Sequence, residues 1–541
     1  LALKLAGVSA EEPCLRRART FILANGGIGK ANVLTKIWLA LFGQFDWQGT
    51  PTVPPEVILL PSWFYLNIYE FASWSRATIV ALSLVLTLKP VCPVPEGAGV
   101  SEIYVEPEGQ RRYPLSQAGG GPGWRRLFLL LDSLLKLYER LPVKPGRRKA
   151  LHRTVEWILA HQEADGSWGG IMLPWVYALI GLKTLGYAPD HPALSRGLQG
   201  LEGFIAEDDA TLRLQPATSP VWDTAWAVLA LRQSGLPADH PALRKAGRWL
   251  LGQEIRTGGD WQVKNPKTGP GCWAFEFEND LYPDLDDTAV VARALRQLHL
   301  PEEGEKAAAI ERAARWVVSM QCRDGGWAAF DRDNDRRILS HVPFADFMTP
   351  LDPTCADVTA HVVEFLAEAR AGAPALARAV AYLHRTQEPD GAWYGRWGVN
   401  YLYGTALALV GLRVAGEPGD RPHVRRAASW LKAHQNPDGG WGESCRTYDD
   451  PGLRGCGLST ASQTAWAVLG LIAAGAPLSE VTQRGVEYLL QTQQTDGAWQ
   501  EEAYTGTGFP RAFYLRYDLY RAYFPLLALA RYETCLAEAL A

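Results

Sequence analysis

Tyr282-Pro283-Asp284-Leu285-Asp286-Asp287-Thr288-Ala289-Val290-Val291 is the stretch on which the reading of this chain turns. Three carboxyls crowd together directly ahead of an apolar run, and this order marks the start of a helix. Crowded carboxyls shielded from water cannot all ionise, so at least one keeps its proton. A carboxylic acid held neutral near neutral pH can protonate a weak base.

Around this acid the sequence repeats itself. A helical stretch followed by Gln-x-x-x-Gly-x-Trp occurs at Gln162–Trp168, Gln321–Trp327, Gln387–Trp393, Gln435–Trp441 and Gln493–Trp499. A stretched copy runs from Gln253 through Gly258-Gly259 to Trp261. Self-similarity at such intervals indicates repeated supersecondary units. The segments ahead of each copy, such as Ala428–His434 and Val486–Leu490, have helical periodicity. Gly then ends the helix because it accepts positive φ. Gln can bond the free backbone groups at a helix end. The repeats therefore read as staples between outer helices. Further helices, Thr224–Leu231 and Gln463–Leu471, lie between them, and strand-like alternation is sparse. An all-α chain of helix pairs closed into α/α barrels fits best. The proline-rich segment 51–62 and the stretch 89–123 read as irregular chain.

The 541 residues exceed one ordinary core, so two domains are expected. Charge is nearly balanced, with 54 basic and 58 acidic residues, and no basic stripe interleaves with aromatics. Nucleic acid is therefore excluded as a partner. There are 21 Trp, 20 Tyr and 16 Phe against 3 Met, so rigid rings line whatever cavity exists. None of the eight cysteines forms a CxxC pair, so no metal site is expected and the thiols read as free and buried. No cofactor motif is present. No uncharged apolar run reaches the roughly 18–20 residues that span a bilayer. The chain opens on Leu1 and is helical in pattern at once, which implies that it begins inside a longer protein.

Taken with Ser219–Thr224, Gly395–Tyr401 and Thr505–Pro510, the Asp284–Ala289 signature resembles bacterial squalene-hopene cyclases almost end to end. Oxidosqualene cyclases share the repeats but carry one acidic residue followed by Cys at the acid site; the double-Asp form here favours unoxidised squalene. The resemblance implies two α/α barrels in a dumbbell with a cavity between them. Residues 218–541 would form the acid-bearing barrel. Residues 1–217 would form most of the second, incomplete at its N-terminus. It also implies proton-initiated polycyclisation of squalene to hopene or hopanol, without cofactor or metal, on the cytoplasmic membrane of a bacterium. Family members often form homodimers; the sequence itself marks no interface.

The resemblance nominates Asp286 as proton donor, flanked by Asp284 and Asp287. It matches Asp357 and His361 to a charge-paired couple, and i, i+4 spacing puts both on one helix face. His361, held protonated by Asp357, would then hydrogen-bond the Asp286 carboxyl. Tyr403 matches a residue that orders water for reprotonation. Aromatic faces attract a cation by about 0.5–2 kcal/mol each without bonding it. Trp222, Phe275, Phe330, Trp397, Phe509, Phe513, Tyr517 and Tyr520 match such a lining, with Trp74 at the far end. The spacing of Phe509, Phe513, Tyr517 and Tyr520 places them on one face if that segment is helical; a plain aromatic core stripe is the alternative. Phe330 stands where the family usually has Tyr, Lys36 at a usual Arg, and Ile171–Trp175 replaces a Gln-Pro pair near the terminating water. Phe344, Ala345 and Phe347 match a channel constriction.

Residues 124–141 read as an apolar helix with Lys144, Arg147, Arg148 and Lys149 behind it. That pattern suits either a buried barrel helix or insertion beside anionic headgroups; the resemblance favours the membrane. Three other functions compete. A class II diterpene cyclase shares the acid but needs groups for a diphosphate and Mg²⁺. An α/α-barrel glycosidase needs two separated carboxylates. A repeat scaffold needs no acid cluster. A related cyclase acting on another polyprene and an inactive fragment stay open as well.

Overall fold

The computed structural model describes the chain apart from residues 108–110, 112, 114, 116–120 and 344–349. The expected constriction residues Phe344, Ala345 and Phe347 lie outside the described residues. The chain is all-α, and it divides into two units, 1–216 with 335–351, and 217–334 with 352–541.

The first unit contains α1 (Ala2–Leu5), α2 (Pro13–Ala24), α3 (Val33–Leu41), α4 (Ser73–Leu88), α5 (Pro122–Arg140), α6 (Arg147–Ala160), α7 (Met172–Thr184) and α8 (Pro192–Glu202). Helices α4 and α7 are its centre, with α6 against α4 and α8 against α7. Hairpin β1 (Ile205–Glu207) and β2 (Leu212–Leu214) closes it. A single boundary between residues 217 and 218 does not describe this unit, because 335–351 belongs to it too. That segment is tied there by Arg336, which pairs with Glu70 at 3.3 Å and covers the Tyr65 ring. His341 stacks on Trp124, and Ala72 N–H donates to Pro350 O. None of these partners is near in sequence.

The second unit alternates two kinds of helix. Helices α9 (Pro220–Gln233), α11 (Leu285–Arg296), α13 (Ala356–Ala369), α15 (Tyr401–Val414), α17 (Ala461–Ala473) and α19 (Tyr520–Leu540) pack side by side, and α19 returns to α9, so the six close a ring. Helices α10 (Pro241–Gly252), α12 (Glu303–Ser319), α14 (Ala373–Thr386), α16 (Pro422–Ala433) and α18 (Glu480–Thr492) lie outside it. Composition assigns the layers. In α15 every residue from Tyr401 to Leu412 is buried, as an all-round apolar helix requires. In α16 only Val424, Ala427, Trp430 and Leu431 are buried, a single stripe.

The repeats connect the outer layer, as their chemistry suggests. Gln321 Nε2 donates to Gly325 O in its own turn and to Ala375 O of the next outer helix, both at 2.8 Å. Gln387 reaches Gly391 and His423 in the same way, and Gln435 reaches Gly439 and Val481. Each repeat Trp donates Nε1–H to a carbonyl of its own outer helix, as Trp327 does to Val317 at 2.8 Å. Gly325 has φ +92°, and a Cβ there would sit 2.8 Å from the Arg378 carbonyl, so the position requires glycine twice over. The stretched copy is different from its reading. Trp273, not Trp261, takes the repeat position: its Nε1–H donates to Leu250 O and its backbone N–H to Thr288 Oγ1. Trp327, Trp393 and Trp441 donate equivalently to Thr359, Thr405 and Thr464. An insertion displaced the Trp beyond the reach of the pattern.

All eight cysteines are free, but Cys14, Cys92 and Cys456 are exposed, so the expectation of buried thiols holds for Cys272, Cys322 and Cys355 alone.

Gln321 joins two helices and is buried, whereas Gln493 bonds only Gly497 of its own turn and is exposed. Gln321→Ala should therefore lower unfolding free energy by about 1–3 kcal/mol and Gln493→Ala by less than about 0.5 kcal/mol. Denaturant unfolding of the two variants checks the difference.

Candidate active site

The inner helices of the second unit begin on a common set of side chains, and the acid stretch is one of those beginnings. Asp284 caps α11: its Oδ1 accepts Asp286 N–H at 2.7 Å and Asp287 N–H at 3.3 Å. Its own N–H donates to Trp273 O, and Thr288 Oγ1–H donates to Asp284 O at 2.6 Å. The repeat Trp and the acid stretch are thus one structure. Asp284 is committed to the helix end and Asp287 is enclosed. Asp286 turns instead to His361 on α13, with Oδ1 2.5 Å from Nδ1. The Asp286 side chain keeps 9% exposure, while His361 has none.

Burial, then the charge of Asp286, pushes the Asp284 carboxyl well above its ordinary range. Burial and the charges of Asp284 and Asp286 do the same to Asp287. Burial opposes charge on His361, but Asp286 outweighs it, and the imidazole pKa rises. Burial thus biases the flanking acids toward their protonated forms, and Asp286 biases the imidazole that faces it toward its charged form.

Asp357 does not pair with His361. Its Oδ2 accepts Arg396 N–H at 2.7 Å and Trp397 N–H at 2.8 Å, and His361 Nε2 has no hydrogen-bond partner. Spacing of i, i+4 places two side chains on one face but does not choose their partners, and two backbone donors supplied from residues 396 and 397 claimed this carboxylate. Asp352, which the sequence reading missed, does the equivalent for Phe330: its Oδ2 accepts Phe330 N–H at 2.7 Å and Asp331 N–H at 2.9 Å. Burial, aided by Asp331, pushes Asp352 up to about 7. No local pattern announced it, because its partners lie some twenty residues upstream.

The rings gather around the pair. Trp222 lies 5.8 Å from His361, and Tyr403 lies 6.3 Å from it. Trp222 Nε1–H donates to the Tyr520 hydroxyl oxygen at 3.1 Å, Tyr520 stacks on Tyr517 at 4.3 Å, and Phe275 meets Tyr517 edge-on. Phe330 meets Trp397 at 6.1 Å, and Phe509 meets Phe513 at 6.3 Å. Trp74 lies half-buried on α4 of the first unit. The condition for a shared helix face among the last aromatics, that their segment is helical, is not met. Phe509 and Phe513 sit on hairpin β3 (Gly506–Phe509) and β4 (Phe513–Leu515), Tyr517 lies in irregular chain after it, and only Tyr520 is in α19. The sequence held the signal: Thr505-Gly506-Thr507-Gly508 disfavours helix, and a Cβ on Gly506 would sit 2.3 Å from the Tyr517 ring. Trp226, Trp466 and Phe524 were missed. Trp226 lies 5.5 Å from His361, and Phe524 backs both Trp226 and Trp466. Trp226 follows Trp222 by four residues, so helical spacing could have found it.

Residues 218–534 match the family model for the squalene-hopene cyclase C-terminal domain, and residues 1–210 match that for the N-terminal domain. The chain belongs to the squalene-hopene cyclase family. It is 51% identical over 536 residues to squalene–hopene cyclase of Alicyclobacillus acidocaldarius, covering 98% of this chain and 84% of that protein. It is 42% identical to squalene–hopene cyclase of Zymomonas mobilis, over 98% of this chain and 82% of that one. It is 44% identical to dammaradiene synthase of Dryopteris crassirhizoma, over 99% of this chain and 81% of that one.

Because Asp352 is raised to about 7, the fold binds its proton more tightly than the unfolded chain does. That contribution is complete below about pH 4 and is lost as pH climbs through about 7. Asp352→Asn cannot ionise. Its unfolding temperature relative to the parent should rise from about pH 5 to about pH 8, which thermal melts at the two pH values will check.

Proposed function

We propose that this protein cyclises squalene to hopanoids, with Asp286 as the proton donor. One observation carries the assignment of the acid: of the three crowded carboxyls, Asp286 alone is paired with an imidazole while keeping accessible surface. An isolated alkene is a very weak base. Its protonation needs an acid whose conjugate base is stabilised at once. A hydrogen bond from His361 Nδ1–H to Asp286 Oδ1 favours the carboxylate left after transfer. The proton passes from the Asp286 carboxyl to a terminal alkene carbon of squalene. The remaining double bonds then add in turn to the cation. Loss of a proton to water gives hopene; addition of a water oxygen to the cation, with its surplus proton passing to a second water, gives hopanol.

The rings supply the second requirement. A carbocation beside water or a free carboxylate is captured. Trp222, Phe275, Trp397, Tyr517 and Tyr520 offer faces that attract charge without donating a lone pair. Asp357 holds the backbone of Trp397, and Asp352 holds that of Phe330, whose ring meets Trp397, so that these faces are fixed before substrate arrives. Ring positions set in advance need no reorganisation as charge moves, which is where catalysis by this arrangement lies.

We also propose that the protein takes its substrate from a membrane surface. Leu127, Leu130, Leu131, Leu134 and Leu137 on α5 are exposed in one stripe, not buried in a core. Among the described residues no helix is long and apolar enough to cross a membrane. A stripe of that kind, followed by Lys144, Arg148 and Lys149, suits insertion into one leaflet.

Incubating the full chain with squalene and identifying neutral lipids by mass spectrometry tests the activity. Asp286→Asn should fold normally and lose product by at least about 10²–10⁴-fold; retained turnover overturns the acid assignment. Products outside the hopanoids would place the chain nearer its dammaradiene synthase relative. Replacing Leu130 and Leu134 by Ser should leave the melting temperature unchanged and shift the protein to the supernatant when sedimented with anionic vesicles.

A further inference from the structure

The turns entering the outer helices share a pattern; one of them departs from it, and so does the helix that precedes it. Gly186-Tyr187-Ala188-Pro189-Asp190-His191-Pro192-Ala193 leads into α8, and Gly235-Leu236-Pro237-Ala238-Asp239-His240-Pro241-Ala242 leads into α10. The turn into α16 reads Gly416-Glu417-Pro418-Gly419-Asp420-Arg421-Pro422-His423. Glu417 thus stands where the sister turns have Tyr187 and Leu236, and His423 stands where they have Ala193 and Ala242. A further departure is on the preceding outer helix. His384 lies three residues ahead of Gln387, a position that holds Leu159, Val318, Lys432 and Leu490 in other repeats.

The fold brings these three residues together on the outside of the ring. Glu417 Oε1 is 3.6 Å from His384 Nε2, and Glu417 Oε2 is 3.4 Å from His423 Nε2. The two imidazoles lie 4.1 Å apart, and all three candidate ligand atoms fall within 4.8 Å of one another. His423 Nε2 and Glu417 Oε2 are enclosed and have no hydrogen-bond partner. Buried polar atoms that face each other without bonding call for a bridging species.

We propose that His384, Glu417 and His423 form a binding site for a divalent transition metal ion of the Zn²⁺ type, which joins α14 to α16. Two imidazoles and one carboxylate suit Zn²⁺, with bonds of about 2.0–2.2 Å and water in the fourth position. Tetrahedral coordination at such bond lengths separates neighbouring ligand atoms by about 3.3 Å, and His423 Nε2 meets that spacing against Glu417 Oε2. His384 faces the other carboxylate oxygen, and, exposed at the end of its helix, it can swing to complete the set. Two cations oppose the ion: Arg421 Nε lies 3.8 Å from Glu417 Oε2, and Arg426 lies close enough to His423 to act on its charge. Arg426 is engaged by Gln387 Oε1, and Arg421 is largely exposed and free to leave. The ion would act beside the Gln387–His423 staple, adding a coordinate link where the repeat already places a hydrogen bond. Its role is to brace the outer layer. The acid site does not depend on it.

The test uses untagged full-length protein stripped with chelator, titrated with Co²⁺ and followed by the visible bands of the bound ion, with Zn²⁺ as competitor. The parent should bind about one equivalent through this site. His384→Ala, His423→Ala and Glu417→Gln should each weaken binding by at least about 10–100-fold. His423→Ala introduces the residue that the sister turns carry, so its folding is secure. Zn²⁺ should raise the unfolding temperature of the parent and not that of the variants. Equal Co²⁺ binding by the parent and all three variants, or none by the parent, overturns the proposal.

Discussion

A 2.5 Å hydrogen bond between His361 and Asp286 is the contact around which the second unit is organised. It crosses between two inner helices, so it exists only where α11 and α13 start at the same level. That level is set by the connections between layers. Trp273 and Trp327, the repeat tryptophans ahead of these helices, are each fixed to an outer helix through Nε1 and to an inner-helix threonine through the backbone N–H. The repeat is therefore more than a brace for the outer layer. It fixes where the carboxyl and the imidazole stand.

Buried carboxyls recur throughout this end of the ring, and they divide into two kinds. Asp284, Asp352 and Asp357 accept backbone N–H groups and hold the chain where it turns into the ring, and Glu443 does so at the start of α15 through Asn400 and Leu402. Asp286 alone among these faces an imidazole. Burial raises the pKa of the whole group of structural acids. An interior that favours protonated acids suits chemistry that begins with a proton. Free carboxylates in the same place would end a cation. One physical condition, exclusion of water, thus serves the acid and the rings together.

Much of this was legible in the residues. The acid stretch, its helix start, the layered all-α plan and the stapling Gln and Trp each follow from local pattern, because each depends on neighbours within one turn or one repeat. Trp222, Tyr403 and His361 were found through motif resemblance, and they do converge. Three readings failed for one shared reason. Asp357 was paired with His361 by resemblance and helical spacing, Trp261 was given the repeat position of Trp273, and Phe509 to Tyr520 were placed on one face on the condition that their segment is helical. Each was inferred from spacing along the chain, and in each case a partner from another segment decided the outcome: the N–H groups of Arg396 and Trp397, the carbonyl of Leu250, and the Trp397–Thr507 pairing that holds the hairpin.

The sequence by itself determined the elements and their chemistry: which helices are apolar all round, where they start, and which acids are crowded at one start. Periodicity, capping and glycine placement are local, and local energies suffice to specify them. The tertiary structure alone decided which donors Asp357 accepts, that residues 335–351 belong to the first unit, and that His384, Glu417 and His423 share one place. A side chain's partner across the fold is chosen by competition among all donors and acceptors that the ring brings within reach. That competition has no trace in the spacing of residues along the chain.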